Sequence, residues 1–324
     1  MDFNNKVILV TGGTGSFGQK FVQMVLEKYN PHSIRIYSRG EHKQVEMERK
    51  FNNDKLRFFI GDVRDKERLY RAMNGVDIVI HAAALKHVPV CEYNPNEAVR
   101  TNIEGAMNIV DAAIDNGVDK VVALSTDKAV QPFNLYGATK LVGEKIILQA
   151  NVYSGKRKTR FSCVRYGNVI GSNGSVIPLF MKQREKGELT ITDENMTRFW
   201  ISLEEGVKLV FYAIENMKGG EIFIPKLPSV KITDLADVMA PEAKKKIIGI
   251  RPGEKIHELL FSEDEARNAI IKDNYYIIQP EFTFWTEREN KESTVKNENY
   301  SSGTNDWWLN KDEIKQMLKK CGFE

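Results

Sequence analysis

The chain has 324 residues, 42% hydrophobic and 28% charged, the composition of a soluble globular protein with room for one large domain or two modest ones. A net charge of +3 is too small to argue for nucleic acid or a membrane surface as a partner. Five histidines are scattered, and Cys91, Cys163 and Cys321 form no CxxC or CxxxC pair, which argues against a metal site or a disulfide framework and for reduced thiols.

The N-terminal stretch MDFNNKVILVTGG runs into an apolar strand without the long apolar core and cleavage site of a signal peptide, and no segment reaches the about 20 apolar residues of a spanning helix. The expected location is the cytoplasm. Short apolar runs at residues 7–10, 34–37, 56–60, 78–81 and 121–125 alternate with helical patterns at 19–28, 66–73, 98–116 and 136–150, and a further strand is expected at 159–165. Strands apolar throughout, separated by helices, predict right-handed βαβ units and a doubly wound parallel sheet of Rossmann type covered on both faces. After residue 168 the pattern loosens: helices are expected at 203–215 and 232–239, small strands at 221–224 and 246–250, a loop-like tail at 283–306 and a last amphipathic helix at 311–320. This divides the chain into a dinucleotide-binding domain, 1–168, and a smaller mixed α/β substrate-binding region, 169–324, interleaved with it.

In VILVTGGTGSFG a glycine cluster ends the first strand and opens the first helix. Gly12, Gly15 and Gly18 stand three apart, and Gly13, Gly15 and Gly18 also satisfy GxGxxG, with Thr14, Ser16 and Phe17 completing the turn. Without Cβ atoms the chain turns tightly and brings backbone N–H groups and a helix N-terminus to a pyrophosphate. The second strand ends in Ser38 and Arg39, with Lys43 nearby, where an NAD site would offer an acid; a hydroxyl and a guanidinium suit a 2′-phosphate, so NADP is the expected cofactor. Asp62 after the third strand is placed to accept from an adenine amino group, with Val63 against the ring, and the small Ala82, Ala83 and Ala84 after the fourth let a cofactor backbone lie close.

Tyr136 and Lys140 stand four apart on one helical face. An ammonium near a phenol lowers the phenol's pKa and makes it a usable base toward an alcohol. Just before them lies a second acid–base pair, Asp127 and Lys128 in STDKA, which hydride transfer alone does not need.

These motifs resemble the extended short-chain dehydrogenase/reductase superfamily over nearly the whole chain. The resemblance implies Ser125 or Thr126 as the hydroxyl steadying the substrate oxygen, with Ser125 also on the cofactor side, and matches Asn102 to a structural asparagine beside the cofactor. TGGTGSFG, YSRGEHKQ, HAAALKHVPVCEYNP, STDKA, NLYGATK, RYGNVIGSNGSVIP, MTRFWISLEEGV and IGIRPGEKIHE, in that order, more sharply resemble soluble UDP-N-acetylglucosamine 4,6-dehydratases of the inverting type. That resemblance gives Asp127 and Lys128 a use. Oxidation at C4 acidifies the C5–H; a base removes that proton while an acid protonates the departing C6 oxygen, hydride returns to C6, and the net reaction is loss of water. The resemblance implies Asp127 as the acid and Lys128 as the base. Burial pushes both pKa values toward those roles, and their mutual attraction pushes both away.

Other residues fit a UDP-sugar by the same resemblance: Lys86, Asn168, Val176 and Thr190 toward the sugar and nucleotide, Arg198 and Arg251 as a diphosphate clamp, and Glu254 toward the uridine ribose. Inverting members often carry cysteine where this chain has Val130, whereas membrane-anchored retaining relatives often replace the tyrosine that is Tyr136 here. The expectation is inversion at C5, on the way to pseudaminic acid, in a homo-oligomer such as a hexamer. Retention at C5, release of the 5,6-ene, a UDP-hexose 4-epimerase and a non-catalytic NADP(H)-binding regulator are the alternatives.

Overall fold

Short strands that are apolar on both faces pair in parallel here, because helices cover each side and no polar face is called for. The computed structural model describes residues 3–172, 174–282, 284–286, 295 and 298–323. In it β1 (Val7–Thr11), β2 (Ser33–Ser38), β3 (Leu56–Ile60), β4 (Ile78–His81), β5 (Lys120–Leu124) and β6 (Arg160–Val164) are parallel neighbours in the order β3-β2-β1-β4-β5-β6. The strand Ile222–Pro225 continues this sheet in parallel beyond β6, and the antiparallel strands Tyr275–Ile278 and Ala269–Lys272 complete it at nine strands. The strand order reverses between β1 and β4, which opens a crevice at their carboxyl ends, the place where doubly wound sheets bind ligands. The α/β reading of the sequence is therefore the observed fold.

A second apolar cluster lies beyond the sheet, where the helices Val176–Arg184, Ile232–Met239 and Lys311–Lys320 gather around Trp200. Local chemistry sets several helix starts. Asp65 caps the helix Lys66–Met73 by accepting from the Arg68 N–H, and Asn310 with Glu313 forms a reciprocal capping box at Lys311–Lys320.

Two expectations are corrected. The single helix read at 98–116 is a short helix Pro95–Val99, a wide π turn Arg100–Glu104 and a helix Gly105–Asp115. The wide turn lets Asn102 face inward, where its Oδ1 accepts from the Leu85 N–H at 2.9 Å and its Nδ2 donates to the Leu85 carbonyl at 2.9 Å and to Thr139 Oγ1 at 3.0 Å. The strand read at 246–250 is Lys244–Ile247, ending before Gly249, whose φ of +84° breaks extended backbone. In the tail read as loop, Tyr300–Ser301 pairs with Leu259–Phe261, and residues 283, 287–294 and 296–297 lie outside the described residues.

Gly18 illustrates how tightly the first turn is packed. A Cβ there would stand 2.4 Å from the Gly13 carbonyl oxygen. Gly18→Ala is expected to cost about 1–3 kcal/mol through overpacking; an unchanged unfolding midpoint in thermal or urea denaturation would contradict that packing.

Candidate active site

The ends of β1 and β4 are tied together first. Thr11 Oγ1 lies 2.8 Å from His81 Nδ1 and accepts from the Ala83 N–H at 3.2 Å. Burial, and then the charge of Lys140, push the His81 imidazole down to about 3, so it is neutral. Gly12, with φ +65°, presses its backbone onto the alanine run: a Cβ there would meet the Ala83 nitrogen at 2.9 Å and the Ala82 carbonyl at 3.0 Å. Beyond it the helix Ser16–Lys28 begins with no side-chain cap and no acid in its first turn, so its leading N–H groups face the crevice without a protein anion. This geometry fits a dinucleotide pyrophosphate.

Around that turn, Ser38 Oγ accepts from Gln44 Nε2 at 3.0 Å, and Arg39 and Lys43 lie exposed at the rim. The Asp62 carboxylate accepts from Arg64, at 3.0 Å from the backbone N–H and at 2.9 and 2.6 Å from Nε and Nη2, with Arg39 Nη1 at 3.8 Å. Burial would raise this carboxyl, but Arg64 holds it below the usual range. Val63 is buried, and the Ser125 hydroxyl is buried with no hydrogen-bond partner.

After β5 the chain forms a single 3-10 turn, Asp127–Ala129, and then the helix Leu135–Tyr153, started by Asn134, whose side chain accepts from the Gly137 N–H. Thr126 Oγ1 donates to Asp127 Oδ1 at 2.8 Å, and Lys128 Nζ donates to the same oxygen at 3.0 Å. Asp127 is 1% exposed, and its Oδ2 is buried without a partner. Tyr136 is buried, with the Thr126 hydroxyl among its neighbours. Thus Thr126, Asp127, Lys128 and Tyr136 form one contiguous group, with Asp127 and Tyr136 buried and Thr126 and Lys128 half-buried.

Burial pushes the Tyr136 phenol up to about 12, partly offset by the charge of Lys128. Lys140 donates to the Leu124 carbonyl at 2.7 Å, with its own pKa lowered by burial. Asp127 and Lys128 are both shifted upward. Burial raises the Asp127 carboxyl against the pull of Lys128, whereas the carboxylates of Asp127 and Glu258 outweigh burial at Lys128 and hold its ammonium charged.

Glu258 carried no role in the sequence reading. Its Oε1 lies 3.1 Å from Lys128 Nζ and 3.8 Å from Arg198 Nε, and its side chain is 3% exposed. Arg198 is accordingly turned inward, donating from Nη1 to the Thr197 and Ile256 carbonyls, and does not share a partner with Arg251 among the described contacts. Arg251 is exposed, 3.8 Å from Glu254 Oε1, and Glu254 Oε2 is buried without a partner. Lys255, also unassigned before, donates to the Val130 carbonyl at 2.7 Å. Asn168 Oδ1 and Ser175 Oγ are buried and unpartnered, Val176 begins the helix that follows, and Thr190 is held by the Gln183 side-chain amide. Lys86 lies at the edge of the site, its pKa lowered by burial of its ammonium and then by the charge of Lys128.

A family model described as polysaccharide biosynthesis protein matches residues 8–280. The chain belongs to that family. The UDP-N-acetylglucosamine 4,6-dehydratase (inverting) of Campylobacter jejuni is 54% identical over 98% of both chains. At that identity over the full length, the protein is an enzyme of the hydro-lyase class with the fold of the extended short-chain dehydrogenase/reductases. The UDP-glucose 4-epimerase of Rickettsia canadensis is 43% identical over 99% of this chain and 97% of its own. The X-ray structure of Pen from Bacillus thuringiensis superposes with a TM-score of 0.92 at 38% identity, covering 99% of each chain. Among the described residues, no helix of this family member is long and apolar enough to cross a membrane.

Proposed function

We propose that the protein removes water from UDP-N-acetylglucosamine across C5 and C6, with NADP as a regenerated cofactor and with inversion at C5. The product is UDP-2-acetamido-2,6-dideoxy-L-arabino-hexos-4-ulose, a first step toward pseudaminic acid. The observation that carries this reading is the buried Asp127–Lys128 pair, one hydrogen bond from Thr126 and beside Tyr136. An epimerase returns a hydride to C4 and has no task for an acid and a base at C6 and C5.

A bound nicotinamide dinucleotide supplies a reversible store for one hydride; the uncapped helix start, Ser38 and Arg39 are the groups that would hold its phosphates. Tyr136, with Thr126 orienting its oxygen, takes the proton of the C4 hydroxyl, and the nearby Lys128 charge makes the buried phenol a better base. When the sugar excludes water from the pair, the charged forms lose solvation. The proton of Lys128 Nζ then has a direct 3.0 Å path to Asp127 Oδ1. One such shift loads the acid and frees the amine. The amine takes the C5 proton, the C5–H electrons form the C5–C6 double bond, and the C6–O bond breaks as Asp127 delivers its proton to the departing oxygen. After hydride return to C6, the enolate takes a solvent proton at C5 on the face opposite Lys128, which inverts that centre, and Tyr136 gives its proton back to solvent. Asn168, Ser175 and Glu254, each with a buried unpartnered oxygen, are the candidate contacts to the nucleotide sugar.

Incubation of the purified protein with UDP-N-acetylglucosamine tests the assignment. A 4-keto-6-deoxy sugar nucleotide is expected; conversion to the C4 epimer alone, or binding of cofactor without turnover, would refute it.

A further inference from the structure

Two carboxylates share one half-buried ammonium in this site. Lys128 Nζ lies 3.0 Å from Asp127 Oδ1 and 3.1 Å from Glu258 Oε1, and both acids are almost wholly buried. Their remaining oxygens, Asp127 Oδ2 and Glu258 Oε2, are buried without partners. The surroundings are nevertheless unequal. Glu258 has Arg198 Nε at 3.8 Å and Lys255 nearby, whereas Asp127 has Lys128 with a neutral hydroxyl donor, Thr126, and a phenol, Tyr136, beside it. A pair of acids whose environments differ in this way divides the work: the one with more cations stays ionised, and the other gains and loses the proton.

Position agrees with that division. Glu258 comes from a segment anchored independently of the catalytic turn: its N–H donates to Ser302 Oγ at 2.9 Å, and its carbonyl accepts from the Ser302 N–H at 2.9 Å. The strand it opens, Leu259–Phe261, packs against the Asp127–Ala129 turn. The carboxylate is therefore a fixed point against which the flexible Lys128 side chain is held.

We propose that Glu258 is the positioning residue of the base, aiming Lys128 Nζ and stabilising the ammonium that forms as the C5 proton arrives, so that Asp127 is left free to serve as the acid. This rests on the dehydratase reading above. The logic is that of a buried carboxylate behind a catalytic histidine, which orients the base and stabilises its charged form without taking the proton. Burial alone would push the Glu258 carboxyl up, but Lys128 and Arg198 hold it below its usual range, as a permanently charged partner requires.

The test is Glu258→Gln in the full-length enzyme with its bound cofactor, given UDP-N-acetylglucosamine and its C5-deuterated form. C4 oxidation should survive, so that reduced nicotinamide absorbance rises and persists, while dehydration falls about 10²–10³-fold and the C5 isotope effect becomes fully expressed. Glu258→Asp, which keeps the charge, should recover part of the rate. Wild-type dehydration with the variant equally fast, or with oxidation and dehydration lost in parallel, would overturn the proposal; a wild type that does not dehydrate the sugar would instead refute the reading beneath it. Should the Gln variant not fold, Glu258→Asp alone decides: a raised C5 isotope effect supports the role, and a wild-type rate and isotope effect exclude it.

Discussion

Asp127→Asn is expected to stop water elimination while leaving oxidation at C4 in place. The amide keeps the shape of the side chain and still accepts from Thr126 Oγ1 and Lys128 Nζ at Oδ1, so the turn should stand. What it cannot do is carry an acid proton to the C6 oxygen. Loss of a general acid lowers the rate by about 10²–10⁴-fold, and with hydride already removed from C4, reduced nicotinamide should accumulate at 340 nm on mixing with substrate. The amide also cannot take the proton of Lys128 Nζ, so the amine is not freed and exchange of the C5 hydrogen with solvent deuterium should slow as well. A variant that dehydrates at the wild-type rate, or that fails already at C4 oxidation, would remove Asp127 from the acid role.

The largest expected loss of stability lies elsewhere, at Arg165. Its guanidinium is wholly buried between β6 and two other segments: Nε donates to Glu144 at 2.8 Å, Nη1 to Glu265 at 2.9 Å and to the Leu260 carbonyl at 3.2 Å, and Nη2 to Glu265 at 2.7 Å and to Glu144 at 2.5 Å. Two carboxylates thus depend on one cation. Arg165→Met leaves both without it and is expected to cost about 3–5 kcal/mol, read as a lower midpoint in urea unfolding. Replacing Glu144 by Leu in the same chain should recover part of that loss, because an apolar pair avoids the stranded charge. Glu144 stands one turn beyond Lys140 on the helix Leu135–Tyr153, so the single variant should also loosen the helix that carries Tyr136 and Lys140. A midpoint within error of wild type would show that solvent reaches the triad.

Why some of this was readable in sequence and some was not follows from chain distance. The central strands are apolar on both faces and bounded by polar turns, a pattern that survives without neighbours, and β3, β4 and the helix Lys66–Met73 lie where the pattern puts them. The π turn at Arg100–Glu104 left no such trace, since it exists to point Asn102 at Leu85 and Thr139, contacts formed only on folding. The same contrast holds in the site. Thr126, Asp127, Lys128, Tyr136 and Lys140 fall within one short stretch, and their chemistry is visible as residue types at a spacing. Glu258 and Arg198 reach Lys128 from remote segments, and an acid in GEKIHE or an arginine in MTRFW carries no mark of burial. Both segments lie among the matched motifs, which imply a diphosphate contact for Arg198 and nothing for Glu258. The pairing of Arg64 with Asp62 likewise depends on which side chain folds inward, which residue type and spacing do not encode.

The most direct test of the account is proton NMR of the product formed from UDP-N-acetylglucosamine in D2O. The expected product is a 4-keto-6-deoxy sugar nucleotide with deuterium at C5 and the L-arabino configuration there. A D-xylo product, a released 5,6-ene or a hydrogen retained at C5 would contradict it.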